Sequence, residues 1–435
     1  MAAGLGTRMK SARPKHLHEL LGRRLIDWVL AAAAPLGADP FVVVSSPETK
    51  EHLDGTLPEW VRLAVQNRPL GTGDAVASAR SCLDGYEGDL LVLAGDTPLL
   101  RAEVLAGLVE EHRRLSATVT VLAFEPPDVR AYGRIVRDDQ GRLFAIVEAA
   151  DATPDQLAIA EVNSSIYVFS VPELWDTLAR VDAANAQGEL YLTDAVRLLV
   201  EDGGPGGVYV APDPADVEGV NTRVELASAG ATLRDRIGRA HMLSGVTIVD
   251  LATTWIDPSV ELEADVTIEP FTLLRGRTKV ASGAVVGPHA VVVDTEIGEA
   301  ATVGPFCYLR PGTILEQGAK AGAFVEIKNS RIGPGAKVPH QSYVGDADIG
   351  EGTNLAAGNI TANFPHESGL PKGRTTIGRN VRTGVHNAFV APVTIGDDAW
   401  IGAGSTITED VPPGALAIAR ARQLNKEGRG GGEHD

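Results

Sequence analysis

The chain is poor in cysteine, in aromatic residues and in positive charge. Cys82 and Cys307 are its only cysteines, too few for a disulfide framework and without the spacing of a metal site. A net charge of −18 argues against a general binder of nucleic acid or anionic membranes, although a few placed cations can still hold an anionic small molecule. The sequence also lacks an apolar run long enough to span a membrane and a signal-peptide pattern. We therefore expect a cytoplasmic protein with small-molecule partners and no nucleic-acid or membrane partner.

Glycine is abundant instead, with 48 residues, and apolar residues recur in steps of six. Neither a helix, with period 3.6, nor a half-buried strand, with period 2, has this pattern. It is typical of a parallel β-helix built from hexapeptide repeats, in which each apolar residue points into the stack. The glycine that often follows the inward residue is attributed here to turns whose backbone conformation excludes a Cβ. The repeat begins with Val291, Ile297, Val303, Leu309, Leu315, Ala321 and Ile327, and resumes with Ile377, Thr383, Phe389, Ile395, Ile401 and Ile407.

The first half of the chain alternates short apolar runs with helical patterns. Residues 41–44, 90–93 and 118–122 read as buried strands, and helices are predicted at 25–34, 74–83, 103–115, 170–178, 193–201 and 222–239. This alternation predicts an α/β domain with a mainly parallel sheet. Length also favours two domains. We place an α/β domain at 1–222, a linking helix at 223–242, the β-helix at 243–421 and a disordered tail at 422–435.

Three short motifs in the α/β half suggest phosphate chemistry. The run Gly4 to Arg8 is a glycine-rich turn whose N–H groups can surround phosphate oxygens, with Lys15 adding charge; a purely structural turn is about as frequent. Gln66 and the Leu70–Gly73 loop are suited to enclosing a base and ribose. Asp96 follows a predicted strand, where a carboxylate can hold Mg²⁺ or simply cap a turn.

These motifs together resemble a known family. The ordered set AAGxGTRM, PK, LGTG, GDxPL, YGRI and GVNxR is similar to a sugar-nucleotide pyrophosphorylase. Joined to hexapeptide repeats, it resembles the family of bifunctional N-acetylglucosamine-1-phosphate uridyltransferase/glucosamine-1-phosphate acetyltransferase. The resemblance implies an α/β Rossmann-like nucleotidyltransferase domain followed by a left-handed parallel β-helix of hexapeptide repeats. It further implies a homotrimer that uses UTP, acetyl-CoA and amino-sugar 1-phosphates, with Mg²⁺ as cofactor.

The resemblance also implies roles for particular residues of the α/β half. Asp96 and Asn221 are expected to bind Mg²⁺, with Asn221 also at the nucleotide. The residues expected to bind UTP or UDP-N-acetylglucosamine are Ala2, Ala3, Gly4, Lys15, Gln66, Gly71, Thr72, Gly133, Glu148, Asn163 and Asn221.

The β-helix half holds a second set of polar residues. Arg310 and Lys328 fall where adjacent coils would stack, which gives two cations for a sugar phosphate. His340 suits a general base that takes a proton from the attacking amine of the sugar, because imidazole titrates near neutrality. The resemblance implies that glucosamine 1-phosphate and acetyl-CoA are bound by Arg310, Lys328, Tyr343, Asn354, Ala357, Asn363, Phe364, Val385, Ala403 and Arg420.

Several residues depart from the family pattern. Phe364 stands where a tyrosine is usual and Val385 where a serine is usual, so two hydroxyl groups are missing beside the expected acetyl site. Asp74 replaces a histidine near the triphosphate, and Ser165 replaces a glycine after Asn163. These departures leave two alternatives open: a monofunctional nucleotidyltransferase with a non-catalytic β-helix, and a non-catalytic paralogue that binds a sugar nucleotide.

The strand that normally feeds a glycine-rich loop is missing before Ala2. It would be a central strand, so we expect unpaired backbone groups on both neighbours and a gap in the core. We expect the true start to lie upstream of Met1; the alternative is a damaged uridylyl domain.

Overall fold

The computed structural model describes residues 1–4, 6–129, 132–365 and 369–427. The end of the predicted tail, 428–435, lies outside the described residues. The chain divides into two compact units, Met1–Thr232 and Leu233–Asp435, and a long helix, Arg223–Leu243, contains the division. Within the described ranges, no helix has both the length and the apolar character needed to cross a membrane.

The first unit combines helices with short and medium strands. Its strands are β1 (Glu19–Leu20), β2 (Arg23–Arg24), β3 (Phe41–Ser45), β4 (Val61–Val65), β5 (Asp89–Val92), β6 (Val119–Phe124), β7 (Arg134–Arg137), β8 (Leu143–Val147), β9 (Val162–Ser170) and β10 (Gly206–Val210). The helices of the chain are α1 (Leu25–Ala33), α2 (Pro47–Leu53), α3 (Thr72–Ala77), α4 (Ala102–Leu115), α5 (Pro154–Leu157), α6 (Val171–Leu178), α7 (Leu192–Glu201) and α8 (Arg223–Leu243).

The main sheet is mixed, where a mainly parallel one was expected. β6 and β10 pair in parallel, but β9 runs antiparallel to both β5 and β6. β7 and β8 form an antiparallel hairpin at the edge. The apolar runs predicted at 90–93 and 118–122 are β5 and β6 of this sheet, but such a run carries no information about the direction of its partner.

A cavity separates this sheet from a second one. β3 and β4 pair only with each other, while β5 belongs to the main sheet. Between them lies a cavity of about 940 Å³ whose lining includes Val42, Val44, Leu90 and Val92. In the described chain, backbone hydrogen bonds between the facing strands across the cavity are made only through Met1 and Ala2. The Met1 amine donates to the Leu93 carbonyl at 2.7 Å, and the Ala2 N–H donates to the Val44 carbonyl at 2.6 Å.

The second unit is a parallel β-helix. Its strands are β11 (Thr247–Ile248), β12 (Trp255–Ile256), β13 (Glu261–Leu262), β14 (Thr267–Ile268), β15 (Leu273–Arg275), β16 (Lys279–Val280), β17 (Val285–Val286), β18 (Val291–Val293), β19 (Glu296–Ile297), β20 (Thr302–Val303), β21 (Tyr308–Leu309), β22 (Ile314–Leu315), β23 (Lys320–Ala323), β24 (Glu326–Lys328), β25 (Arg331–Ile332), β26 (Lys337–His340), β27 (Tyr343–Gly345), β28 (Ala347–Ile349), β29 (Ile360–Ala362), β30 (Thr375–Ile377), β31 (Arg382–Thr383), β32 (Ala388–Val390), β33 (Val393–Ile395), β34 (Trp400–Ile401), β35 (Thr406–Ile407) and β36 (Leu416–Ala417).

From β11 to β27 every third strand stacks in parallel, which makes three faces. On the face that contains β26, isolated bridges of Asn354 to Lys337 and Arg382 continue the stack to β31, β34 and β36. The inward residues of the six-residue pattern make one continuous core, for example Val303, Leu309 and Ile327. Val291 is an exception, since it is half-buried and Val292 takes the inward position. The coil is shorter there, because Val280 pairs with Ile297, 17 residues on rather than 18. A one-residue deletion in a turn moves the phase of the repeat and leaves the fold intact.

Among the glycines after the inward residues, some have a different reason from the predicted one. Gly304 has φ of 115° and does use a conformation that disfavours a side chain. Gly298 has no positive φ, but a Cβ there would lie 2.8 Å from the backbone of Glu316 in the next coil. The same holds for Gly350 against Gly378. At these positions glycine is needed because neighbouring coils approach too closely for a methyl group.

Candidate functional site

The glycine-rich loop closes tightly on Lys15. Gly6 adopts φ of 59°, and a Cβ there would lie 2.5 Å from Cβ of Lys15. A short 3-10 turn, Thr7–Met9, follows, while Ala3 is buried and Gly4 is exposed. The loop therefore holds the buried stem of Lys15 against the backbone and leaves N–H groups at Gly4 open to a ligand.

Lys15 joins the two predicted metal ligands. Its ammonium forms an ion pair with Oδ2 of Asp96 and donates to Oδ1 of Asn221 at 3.0 Å. Arg8 donates to the same Asn221 oxygen at 2.9 Å. Burial alone would raise the pKa of Asp96, but the charge and hydrogen bond of Lys15, together with His16, hold it below its ordinary value. Asp96 is therefore a carboxylate, and residues far apart in the chain converge on one polar centre.

Two oxygen ligands of this centre are of the kind that a hard divalent cation prefers. Gly219 leaves the space beside Asp96 open, since even a Cβ there would stay 3.7 Å from Oδ2. Among the described residues, no group of three or more His, Cys, Asp or Glu side chains is arranged to hold a metal. Asp96 and Asn221 thus fit a Mg²⁺-type ion that takes its remaining ligands from substrate phosphates and water.

Gln66 directly follows β4, and Gly71 and Thr72 lie at the start of α3. The Gln66 N–H donates to the Ser45 carbonyl at 2.9 Å, and Ser45 in turn bridges Ala2. Thr72 begins α3, and its hydroxyl accepts from the Leu192 N–H at 2.9 Å. Gly71 has φ of 121°, which brings its backbone against Leu190. The structure therefore groups the predicted nucleotide residues at one edge.

Gly133, Glu148 and Asn163 form a second cluster in the first unit. The Asn163 N–H donates to the Gly133 carbonyl at 2.8 Å, and a Cβ on Gly133 would lie 3.4 Å from Oε2 of Glu148. Burial raises the pKa of Glu148, and the nearby carboxylates of Asp151, Asp194 and Glu189 raise it further. A hydrogen bond of 3.2 Å from Thr193 partly opposes this rise.

Several residues around Glu148 escaped the sequence reasoning. Thr193 contacts it directly, and Tyr191 has a buried hydroxyl without a hydrogen-bond partner in the described chain. Burial raises the pKa of Tyr191 to about 12. Both lie at the start of α7, and they were missed because the pattern of apolar residues there predicts only a helix. Arg8, by contrast, ends the glycine-rich run that the sequence analysis identified.

A cluster of cations lies on one face of the β-helix. Arg310 and Lys328 occupy the same place in successive coils, since the Arg310 N–H donates to the Ile327 carbonyl. The charges of Lys372 and Arg310 lower the pKa of Lys328. Arg310 is paired with Glu326 at 2.8 Å, which raises the pKa of its guanidinium. Three cations held together in this way are suited to binding an anion.

Tyr343 adjoins this cluster, and the predicted base lies nearby in the chain. The Tyr343 hydroxyl lies over Gly345, and Gly345 pairs with Lys328 in the neighbouring strand. His340 ends β26, three residues before Tyr343, and its side chain is exposed. Glycine at 345 therefore makes room for the phenol ring beside the cations.

The residues predicted to line the acetyl-CoA cleft form a column at one corner. The Gly358 N–H donates to the His340 carbonyl at 3.3 Å, and the His386 N–H to the Ala357 carbonyl at 2.8 Å. The Gly404 N–H continues the ladder to the Val385 carbonyl at 2.8 Å. Gly404 lies beside the stem of Arg420. Ala357, Val385 and Ala403 directly precede Gly358, His386 and Gly404 in the chain. Together with His340 and Arg420 they therefore form a column on successive coils.

Asn354, Asn363 and Phe364 complete the second set. Asn354 carries a buried Oδ1 with no hydrogen-bond partner in the described chain, which leaves an acceptor for a ligand. Asn363 donates to Asp346, and the Gly373 N–H closes the loop onto the Asn363 carbonyl at 3.0 Å. Phe364 is 76% exposed, with the Lys372 ammonium 5.9 Å from its ring centre. Phe364 was named in the sequence analysis, but Lys372, the cation that lies over its ring, was not.

Comparisons with known proteins identify the family of the chain. The model of the MobA-like NTP transferase domain matches residues 1–190. A protein of Mycobacterium bovis (strain BCG / Pasteur 1173P2) named "Bifunctional protein GlmU" is 47% identical over 450 residues, which covers 98% of this chain and 90% of that protein. Proteins of the same name from Thermobifida fusca and Streptomyces coelicolor are also 47% identical, over 98% of this chain and 92% of each of them. The resemblance found in the motifs is confirmed, and the chain belongs to the family of bifunctional GlmU proteins.

Proposed function

We propose that this chain carries out the two reactions of its family, one in each unit. Acetyl transfer from acetyl-CoA to glucosamine 1-phosphate gives N-acetylglucosamine 1-phosphate and CoA. Uridylyl transfer from UTP then gives UDP-N-acetylglucosamine and pyrophosphate. The observation that carries the proposal is that each unit holds its own polar centre, Lys15 with Asp96 and Asn221 in one, Arg310 with Lys328 and Lys372 in the other.

In the first unit, the substrate phosphate oxygen attacks the α-phosphorus of UTP and pyrophosphate leaves. Lys15, Arg8 and the N–H groups near Gly4 offset the negative charge that develops on the phosphate oxygens. Gln66, Gly71 and Thr72 hold the nucleoside, and Gly133, Glu148 and Asn163 hold the amino sugar. These positions fix the two substrates for in-line attack, which is the larger part of catalysis in phosphoryl transfer.

Family membership implies a divalent metal for this step, and we propose Mg²⁺. Asp96 and Asn221 would hold it, because their oxygens adjoin one another around Lys15. When bound, such an ion neutralises phosphate charge and orients the triphosphate. Lys15 would exchange part of its contact with Asp96 for contact with phosphate.

In the second unit, the amine of glucosamine 1-phosphate attacks the thioester carbonyl of acetyl-CoA. His340 takes the proton from the attacking nitrogen, and the CoA thiolate leaves and is protonated. Arg310, Lys328 and Lys372 hold the sugar phosphate, while Tyr343, Asn354, Asn363 and Phe364 surround the sugar. Ala357, Val385, Ala403 and Arg420 follow the CoA chain, with Arg420 meeting a CoA phosphate.

We further propose that the protein is a cytoplasmic homotrimer. Exposure of His340, Val385 and Arg420 supports a neighbouring subunit that covers this site. Light scattering would give about three times the chain mass of 45.6 kDa. A monomer with full acetyl transfer would contradict the trimer.

Both activities are tested on one purified sample by pyrophosphate release from UTP and by CoA release from acetyl-CoA. We expect both, and we expect a chelator to abolish only pyrophosphate release, with recovery on addition of Mg²⁺. CoA release without pyrophosphate release in the presence of Mg²⁺ would overturn the first assignment. Pyrophosphate release without CoA release would overturn the second.

A further inference from the structure

The side-chain amide of Gln66 is held in one orientation. Its Nε2 donates to the Gly71 carbonyl at 3.0 Å and to Oδ2 of Asp74 at 2.8 Å. Both partners are acceptors only, so the NH₂ group must face them, and a flipped amide would set oxygen against oxygen twice. No donor among the described residues reaches Oε1 of Gln66, so this acceptor is left for a ligand.

The free acceptor belongs to the nucleotide end of the first unit. Gln66 directly follows β4, and its N–H is bonded to Ser45, the residue that bridges Ala2. The loop that carries its two partners is fixed from the other side, since the Gly73 N–H donates to the Leu190 carbonyl at 2.8 Å. Gln66 is only 5% exposed and its amide is held by two hydrogen bonds, so Oε1 is a directed acceptor rather than a mobile surface group.

We infer that Asp74 is a positioning residue that makes the nucleotide site select uracil over cytosine. This inference rests on the proposed uridylyl transfer. Uracil presents a donor at N3, which an acceptor satisfies. Cytosine presents a lone pair at N3, which an acceptor repels. By holding both N–H bonds of Gln66, Asp74 and Gly71 ensure that only the oxygen meets the base.

A merely structural role for Asp74 makes a different prediction. Asp74 lies in the first turn of α3, Thr72–Ala77, where a carboxylate stabilises a helix terminus. Loss of that effect would lower the affinity for every nucleotide by the same factor. Loss of amide orientation would instead change the ratio of affinities, because only then can Gln66 turn a donor toward the base.

The test is calorimetric binding of UTP and of CTP, at one fixed Mg²⁺ concentration, to the full chain and to two variants. Asp74→Asn keeps the shape but offers a donor as well as an acceptor to Gln66. Asp74→Ala removes the second acceptor. Asp84→Asn is the matched control, because Asp84 is an exposed carboxylate outside this contact and the charge change is the same. Pyrophosphate release from UTP is measured on the same samples.

We expect the parent and Asp84→Asn to bind UTP more tightly than CTP. In both Asp74 variants the ratio of the two affinities should fall by about three- to tenfold, which is the contribution of one neutral hydrogen bond. Equal weakening for UTP and CTP with an unchanged ratio would overturn the inference and leave Asp74 as a helix residue. A narrowed ratio without pyrophosphate release would support the inference and refute the proposed reaction. Failure to bind either nucleotide would overturn both.

Discussion

At the scale of single residues, Glu148 couples binding to stability. Its carboxyl group is mostly buried, and its pKa is raised by burial and by neighbouring carboxylates. A carboxyl whose pKa is higher in the folded than in the unfolded state destabilises the fold at neutral pH, where it must be charged. Below the unfolded pKa both states are protonated and this penalty disappears.

We therefore predict that Glu148→Gln raises the melting temperature at pH 7, while weakening sugar binding. The gain should shrink as pH falls toward about 4.3, the ordinary pKa of glutamate, since the parent then keeps its proton when folded. Thermal melts at both pH values check this, with the exposed Glu59→Gln as control. A gain of the same size at both pH values would show that charge burial is not its cause.

Phe364 and Val385 test the acetyl site at the same scale. Both side chains are substantially exposed, Phe364 beside Lys372 and Val385 in the column that includes His340. Each added hydroxyl can form a hydrogen bond worth about 0.5–1.5 kcal/mol, which is up to about tenfold in rate per hydroxyl, so Phe364→Tyr with Val385→Ser should speed acetyl transfer. CoA release measures this, with pyrophosphate release as the unchanged reference. A slower double variant would indicate a site repacked around a different acceptor.

At the scale of elements, the spacing between coils limits side-chain size. A Cβ at Gly350 would overlap the backbone of Gly378, and backbone cannot move without shifting a whole coil. At Gly414, by contrast, no atom lies within 4 Å, and only φ of 70° opposes a side chain. Substitutions at these two glycines therefore measure separately the cost of a steric clash and the cost of a left-handed backbone conformation.

We predict that Gly350→Ala lowers the free energy of unfolding by about 3 kcal/mol, the cost of overpacking against rigid backbone. Gly414→Ala should cost about 1 kcal/mol, the strain of a left-handed residue. Denaturant melts of both variants give the comparison. If the cost at Gly414 is equal or larger, backbone conformation in turns, and not close contact between coils, explains the glycine pattern.

The elements also show what sequence can predict. The β-helix was recognisable because its period is local and repeats many times, as with Leu309 and Ile327. The direction of β9 and the shift at Val292 were not, because strand partners and turn lengths depend on residues distant in the chain. Motifs located Lys15 and Asp96, whereas the contact of Asp74 with Gln66 exists only once the segment between β4 and α3 folds back on itself.

At the scale of the whole molecule, the account requires two independent active sites. Asp96 lies in the unit Met1–Thr232 and His340 in the unit Leu233–Asp435. Asp96→Asn should abolish pyrophosphate release and spare CoA release. His340→Ala should do the reverse, with acetyl transfer reduced about 10²- to 10⁴-fold, as is usual when a general base is removed.

One measurement tests this most directly: formation of UDP-N-acetylglucosamine from glucosamine 1-phosphate, acetyl-CoA and UTP by the two variants, separately and mixed. Asp96→Asn alone should stop at N-acetylglucosamine 1-phosphate, and His340→Ala alone should form almost none of it. The mixture should restore UDP-N-acetylglucosamine, because the intermediate diffuses from one protein to the other. Substantial product from either variant alone, or none from a mixture of correctly folded variants, would contradict the assignment of one reaction to each unit.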